Sequence, residues 1–168
     1  MKNTTVRVMF YLSLLLFAVS LTQQCYCTSE SCGDSLAVFL SGAACVFYGG
    51  ATLSWLANPC LLMAVLFARR RPMACLAFSF LSVCQSLAFL CFKRIITDES
   101  GRYDIITSYK AGYWLWTGSH IVFLAGAIFN ALVAVNGFQA HQSFNAFTIN
   151  VAYSVVPASI GAALVSIP

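Results

Sequence analysis

An all-α, polytopic transmembrane helical bundle is the fold class this sequence predicts, with about four spans after an N-terminal signal peptide or signal-anchor. Three observations predict it. Hydrophobic residues make up 60% of the 168-residue chain, charged residues 8%, and mean hydropathy is +0.82; soluble domains carry about 25% charged residues. Long uncharged runs recur along the chain, and each helical crossing of a hydrocarbon core takes roughly 20 residues, so there is no room for a separate soluble domain. The charges are grouped at the ends of those runs rather than spread through them.

The first element, Val8 to Leu21, is a short apolar run behind Lys2 and Arg7, with small residues at Ala18-Val19-Ser20. Residues 1–24 therefore read either as a cleaved signal peptide or as a retained signal-anchor. Residues 25–168 read as a single membrane-embedded domain. Ser35 to Ala68 carries no charge and is too long for one crossing. The Gly49-Gly50 pair divides it into an interfacial helix over 35–48 and a span over 51–68. Within that span Pro59 withholds a backbone donor, which predicts a kink at Asn58-Pro59. Arg69-Arg70-Arg71 ends the span, Pro72 suits a first helical turn, and 73–92 forms the next span. The polar stretch from Ile95 to Ala111 is expected to be a surface loop or short interfacial helix. Spans over 112–135, entered through Tyr113, Trp114 and Trp116 at headgroup level, and over 146–167 complete the bundle.

Charge sets the expected orientation. Short loops rich in Arg and Lys stay on the cytoplasmic side, so Arg69, Arg70 and Arg71 act as a topology anchor, and Lys2 and Arg7 agree with it. All five acidic residues (Glu30, Asp34, Asp98, Glu99, Asp104) then fall outside together with four basic ones. Five inner basic residues less one outer excess negative charge give the net +4, so the excess is a topology signal and calls for no nucleic acid.

Eight cysteines divide by this topology. Cys25, Cys27 and Cys32 precede the first long apolar run, and Cys91 ends a span on the same side, so an outer disulfide is expected among these four, with its connectivity open. Cys45, Cys60, Cys75 and Cys84 lie in apolar surroundings, and the last three read as small apolar packing residues. Uncharged polar residues inside the spans, Asn58, Gln85, His120 and Asn130, form a candidate intramembrane polar cluster, since such groups face a cavity or a neighbouring helix. The spans hold no Asp, Glu, Lys or Arg at mid-depth, which argues against a coupled pump. Two histidines cannot make a convincing metal site, and no cofactor motif is present.

Trp55-Leu56-Ala57-Asn58-Pro59, followed by an apolar span, and Gly112-Tyr113-Trp114-Leu115-Trp116, opening a later one, resemble a pattern in small uncharacterised bacterial integral membrane proteins. The resemblance covers roughly Cys32 to Leu132 and implies a bacterial inner (plasma) membrane. It carries no activity and assigns no functional residue.

The residues favour a non-enzymatic membrane component working through helix-helix contacts with a protein partner or a second copy, as an accessory or protective, immunity-like factor. A channel or carrier for a small uncharged solute is the alternative. A membrane thiol-disulfide oxidoreductase is the third reading. It would need two dithiol relays, whereas the nearest motif is Cys25-Tyr26-Cys27 and the stretch from Ile95 to Ala111 has no cysteine.

Overall fold

The structure is a computed structural model whose described residues are 4–96 and 102–155, with side chains to 136. Five helices carry most of the chain: α1 (Thr4–Ser20), α2 (Ser35–Cys45), α3 (Ala57–Phe67), α4 (Pro72–Ala88) and α5 (Ala111–Val155). Between them run four strands, β1 (Gln24–Thr28), β2 (Cys32–Asp34), β3 (Arg94–Ile96) and β4 (Tyr103–Tyr109). These pair as one antiparallel sheet in the order β2-β1-β4-β3.

The sheet corrects the all-α bundle expected from the sequence. Among the described residues three helical stretches, Gly50–Phe67, Pro72–Cys91 and Ala111–Asn136, are long and apolar enough to cross a membrane, where four spans were expected. The segment from Ile95 to Ala111, expected to be a loop or interfacial helix, holds most of β3 and all of β4. Tyr103, Ile105, Ile106, Thr107 and Tyr109 are aromatic or β-branched residues that favour a pleated backbone. Their partner is remote: Tyr26 pairs with Tyr109 and Cys27 with Ser108. No local pattern in a seven-residue segment names a partner that far away. The final span expected over 146–167 lies outside the described side chains and, from residue 156, outside the described residues.

The connections place the sheet at one end of the helices. α1 ends, α3 begins, α4 ends and α5 begins beside the strands, whereas Arg69 to Arg71 join α3 to α4 at the opposite end. Lys110 donates its N–H to Cys25 O (2.9 Å), tying the start of α5 to β1, and Ser35 N–H donates to Gln23 O (3.1 Å), tying α2 to the residue just before β1. Thr107 Oγ1 adds a bond to Cys27 O (3.0 Å).

Helix packing is inverted relative to a water-soluble core. On α3 the buried face is Ala57, Leu61 and Ala64, continued by Ala68; on α4 it is Cys75, Ser79, Ser82 and Ser86. Both follow the i, i+4, i+7, i+11 spacing of one helical stripe. Small residues let the backbones approach, and each buried hydroxyl finds a carbonyl: Ser79 Oγ to Cys75 O, Ser82 Oγ to Ala57 O, and Ser86 Oγ to Val83 O. The large apolar side chains, Leu62, Leu66, Phe80 and Ile128 among them, point outward and are exposed. In water such a surface would aggregate; against hydrocarbon it costs nothing.

α1 belongs to the same core. Val6 and Phe10 are buried with Phe123 and Ala127 of α5, the Phe10 and Phe123 rings stack 4.4 Å apart, and Ser13 Oγ donates to Ser119 O (2.8 Å).

The Gly49-Gly50 break appears as a turn with φ of 74° and 64°, a conformation open to glycine. A 3₁₀ segment from Gly50 to Leu56 then runs into α3. Pro59 therefore sits in the first turn of an α-helix, where its missing donor matters least. The Trp55 carbonyl, which Pro59 cannot serve, accepts Asn58 Nδ2 instead (3.0 Å). The Asn-Pro pair thus marks a change of helix type.

Candidate functional site

At the sheet end, α2, the 3₁₀ segment, β1 and the start of α5 enclose a cavity of about 590 Å³, within the range of small-molecule sites. Its origin is visible in α2. Leu36 and Leu40, and after the helix Phe47 in the 3₁₀ turn Val46–Tyr48, are exposed. The lining side carries the small residues Ala37, Ser41, Gly42 and Ala44, and the Trp55 ring packs so closely on Gly42 that a Cβ there would stand 2.0 Å from it. Across from them stand aromatic rings: Phe39 and Trp55, Tyr26 from β1, Phe89 at the end of α4, and Tyr113 and Trp116 from α5.

Hydrogen bonds hold these rings in place. Trp55 Nε1 donates to Phe39 O (2.9 Å), Trp116 Nε1 to Asn58 Oδ1 (2.9 Å), and the Tyr113 hydroxyl to Ser86 O (3.0 Å). Asn58 is thereby used in full as a brace between two walls. Two buried hydroxyls are left over: Ser54, 3% exposed, and Ser35 both line the cavity, and neither Oγ has a hydrogen-bond partner. The Ser35 hydroxyl lies beside the Cys25 thiol and close to Gly112.

Among the described residues the wall is uncharged apart from one carboxylate, Asp34, exposed where β2 meets α2. Burial pushes the Cys25 thiol up to about 11, against a smaller opposing effect of Ser35. Burial, then the neighbouring Cys25 and Cys45, push the Tyr26 phenol up to about 12. Both stay neutral at physiological pH, so the cavity presents dipoles and rings rather than ions.

Of the residues singled out from the sequence, Asn58 lines this cavity and His120 lies behind its wall. His120 is fully buried, its ring 4.9 Å from Trp116 and 6.4 Å from Phe17, with Nε2 unpartnered. Asn130 lies ten residues further along α5, about 15 Å down the axis, and its Nδ2 ties α5 to Ala68 O (2.9 Å). Gln85 is half-buried on α4 and does not line the cavity. Arg69 and Arg70 follow α3 in an exposed turn, and Arg71 caps α4.

Cys27 and Cys32 form a disulfide across the β1–β2 hairpin, while Cys25 and Cys91 are free thiols. The site residues that pattern reading missed, Ser54, Gly42 and Trp55, lie on segments that meet only after folding. The one local trace of them is the run of small residues on α2.

Thiolate is the species that reacts with maleimide. In detergent at about pH 8 a water-soluble maleimide should label exposed Cys91 quickly and Cys25 slowly, and should reach Cys27 and Cys32 only after reduction. Cys25 labelling should accelerate as pH approaches about 11. Equal rates at Cys25 and Cys91 near neutrality would contradict the burial of Cys25.

The class of protein these features define is a helical protein with, among the described residues, three helices apolar enough to cross a membrane, a small sheet at one end and an aromatic-walled cavity beneath it whose single carboxylate is Asp34. Compared with protein families, curated proteins and solved structures, the chain matches none, so no site residue is carried over from a relative.

Proposed function

We propose that this protein is a non-enzymatic, multi-pass membrane protein that holds a small uncharged molecule in the cavity at its sheet end. The observation that carries the reading is the pre-braced, uncharged cavity with the unpartnered Ser54 hydroxyl in its wall. An unfilled hydrogen-bonding position inside an apolar cavity costs stability unless something occupies it, which makes Ser54 poor packing and good recognition. The inverted helix surface, with large apolar side chains outward and serines inward, supports the membrane setting.

In this reading Arg69 to Arg71 are cytoplasmic, the sheet is on the outer side of a bacterial plasma membrane, and α1 is a retained signal-anchor. The oxidising outer side suits the Cys27–Cys32 disulfide. The oxidoreductase reading loses ground because a relay needs a thiol with a lowered pKa, and burial drives Cys25 the other way. The accessory reading rests on exposed apolar helices, which lipid contact already explains.

The test is solvent extraction of protein purified from its own membranes, followed by mass spectrometry. One uncharged molecule should be recovered in near-stoichiometric amount, and much less of it from Ser41→Phe, which narrows the space in front of α2. Folded wild-type protein that yields nothing but bulk lipid would sink the proposal.

A further inference from the structure

We infer that the ligand of this cavity is a neutral, planar ring compound carrying a hydrogen-bond acceptor, of the quinone type, seated between the aromatic walls with its oxygen on the Ser54 hydroxyl. The inference rests on the binding function proposed above and adds the chemical class.

Four observations lead to it. Among the described residues the lining contains no Lys, Arg, His or Glu, so nothing there neutralises a phosphate or carboxylate, and an anionic lipid head would be desolvated without a partner. The wall is rich in rings that are immobilised before any ligand arrives: both indole N–H groups and the Tyr113 hydroxyl already donate within the protein. Fixed rings offer flat faces for offset or edge-to-face contact with another ring and lose little entropy on binding. Because those donors are spent, Ser54 Oγ, unpartnered like Ser35 Oγ beside the Cys25 thiol, can donate to a ligand oxygen without breaking an internal bond. Finally, the cavity exceeds what one six-membered ring needs, leaving room for ring substituents. Binding alone is inferred; no electron transfer enters it.

Trp55, Trp114 and Trp116 are the three tryptophans, and two of them line the cavity. In a Trp114→Phe background, indole fluorescence therefore reports on the cavity wall. The probe is tetramethyl-1,4-benzoquinone, whose fully substituted ring resists addition by the free cysteines. Quenching should saturate, whereas a brominated monoacylglycerol, neutral but without a ring, should quench only in proportion to its concentration. Ser54→Ala should weaken quinone affinity about five- to tenfold, the loss of one hydrogen bond. The same change should raise the melting temperature of the empty protein, because it removes an unsatisfied buried hydroxyl. A residue with a merely structural role would move both readings in the same direction.

Non-saturable quenching by the quinone, with a different neutral molecule recovered on extraction, would overturn the ring assignment and leave the binding function standing. Unchanged quinone affinity in Ser54→Ala would overturn the placement of the ligand oxygen. Absence of both saturable quenching and any extracted molecule would remove this inference together with the reading it rests on.

Discussion

Protein recovered from membranes should retain its first 23 residues, and a chain lacking them should fail to accumulate. The reason lies in how α1 meets α5. Val6 is 1% exposed, Phe10 stacks on Phe123, and the Ser13 hydroxyl satisfies the Ser119 carbonyl inside the core. A signal peptide is discarded and has no cause to match the rest of the chain residue by residue. Removing α1 would uncover Phe123 and Ala127 and open the wall behind His120, which Phe17 faces. Phe10→Ala alone should cost about 3 kcal/mol through the space it leaves, read as a lower midpoint in thermal unfolding. An N-terminal tag should remain attached and be inaccessible to protease added to intact spheroplasts. Recovery of a mature chain starting after Ser20, still folded, would refute the anchor.

Gly112→Val should be the most damaging single substitution at the sheet end. A Cβ at Gly112 would stand 2.2 Å from Ser35 Oγ and 2.6 Å from Gln24 O, and the second of these is backbone held in β1. The side chain of Ser35 could turn away, but the strand cannot shift without breaking the Lys110–Cys25 and Ser35–Gln23 bonds that fasten α5 to it and α2 to the residue just before it. Overpacking against backbone should cost about 3 kcal/mol, and the ring-lined cavity should lose its saturable quinone binding. A variant with unchanged melting temperature and unchanged binding would mean that α5 is not anchored at this point.

The contrast between these sites and the sequence pattern is instructive. Long apolar runs and the arginine cluster are statements about solvent and charge, and each is complete within about 20 residues. The sheet is different in kind. Strand β1 holds only five residues and β2 three, their polarity is mixed, and their ladder partners lie either across a tight hairpin or some 80 residues away. Pattern reading therefore assigned the polar stretch before α5 to a loop or helix. Pro59 shows the same limit on a smaller scale. Its chemistry was legible, but whether it kinks a helix depends on where the helix starts, and the 3₁₀ segment before it set that start.

Among the candidate polar residues, the sequence could show that Asn58, Gln85, His120 and Asn130 are costly in an apolar setting, yet not which of them meet. Asn58 and His120 come together because Trp116 stands between them, while Asn130 bonds to the end of α3 far down the bundle. Cys91 likewise shares the sheet end with Cys25 without pairing, and the disulfide joins Cys27 to Cys32 across the hairpin.

By itself, then, the sequence determined that the chain is strongly apolar, where its charges interrupt it and which of its residues are too polar to sit idle in hydrocarbon, since these follow from transfer free energies of individual side chains. Tertiary structure alone decided the antiparallel sheet, the packing of α1 against α5 and the cavity under the strands. A cavity is the space left when small residues on one helix face large rings braced on others, and that is a property of several segments at once.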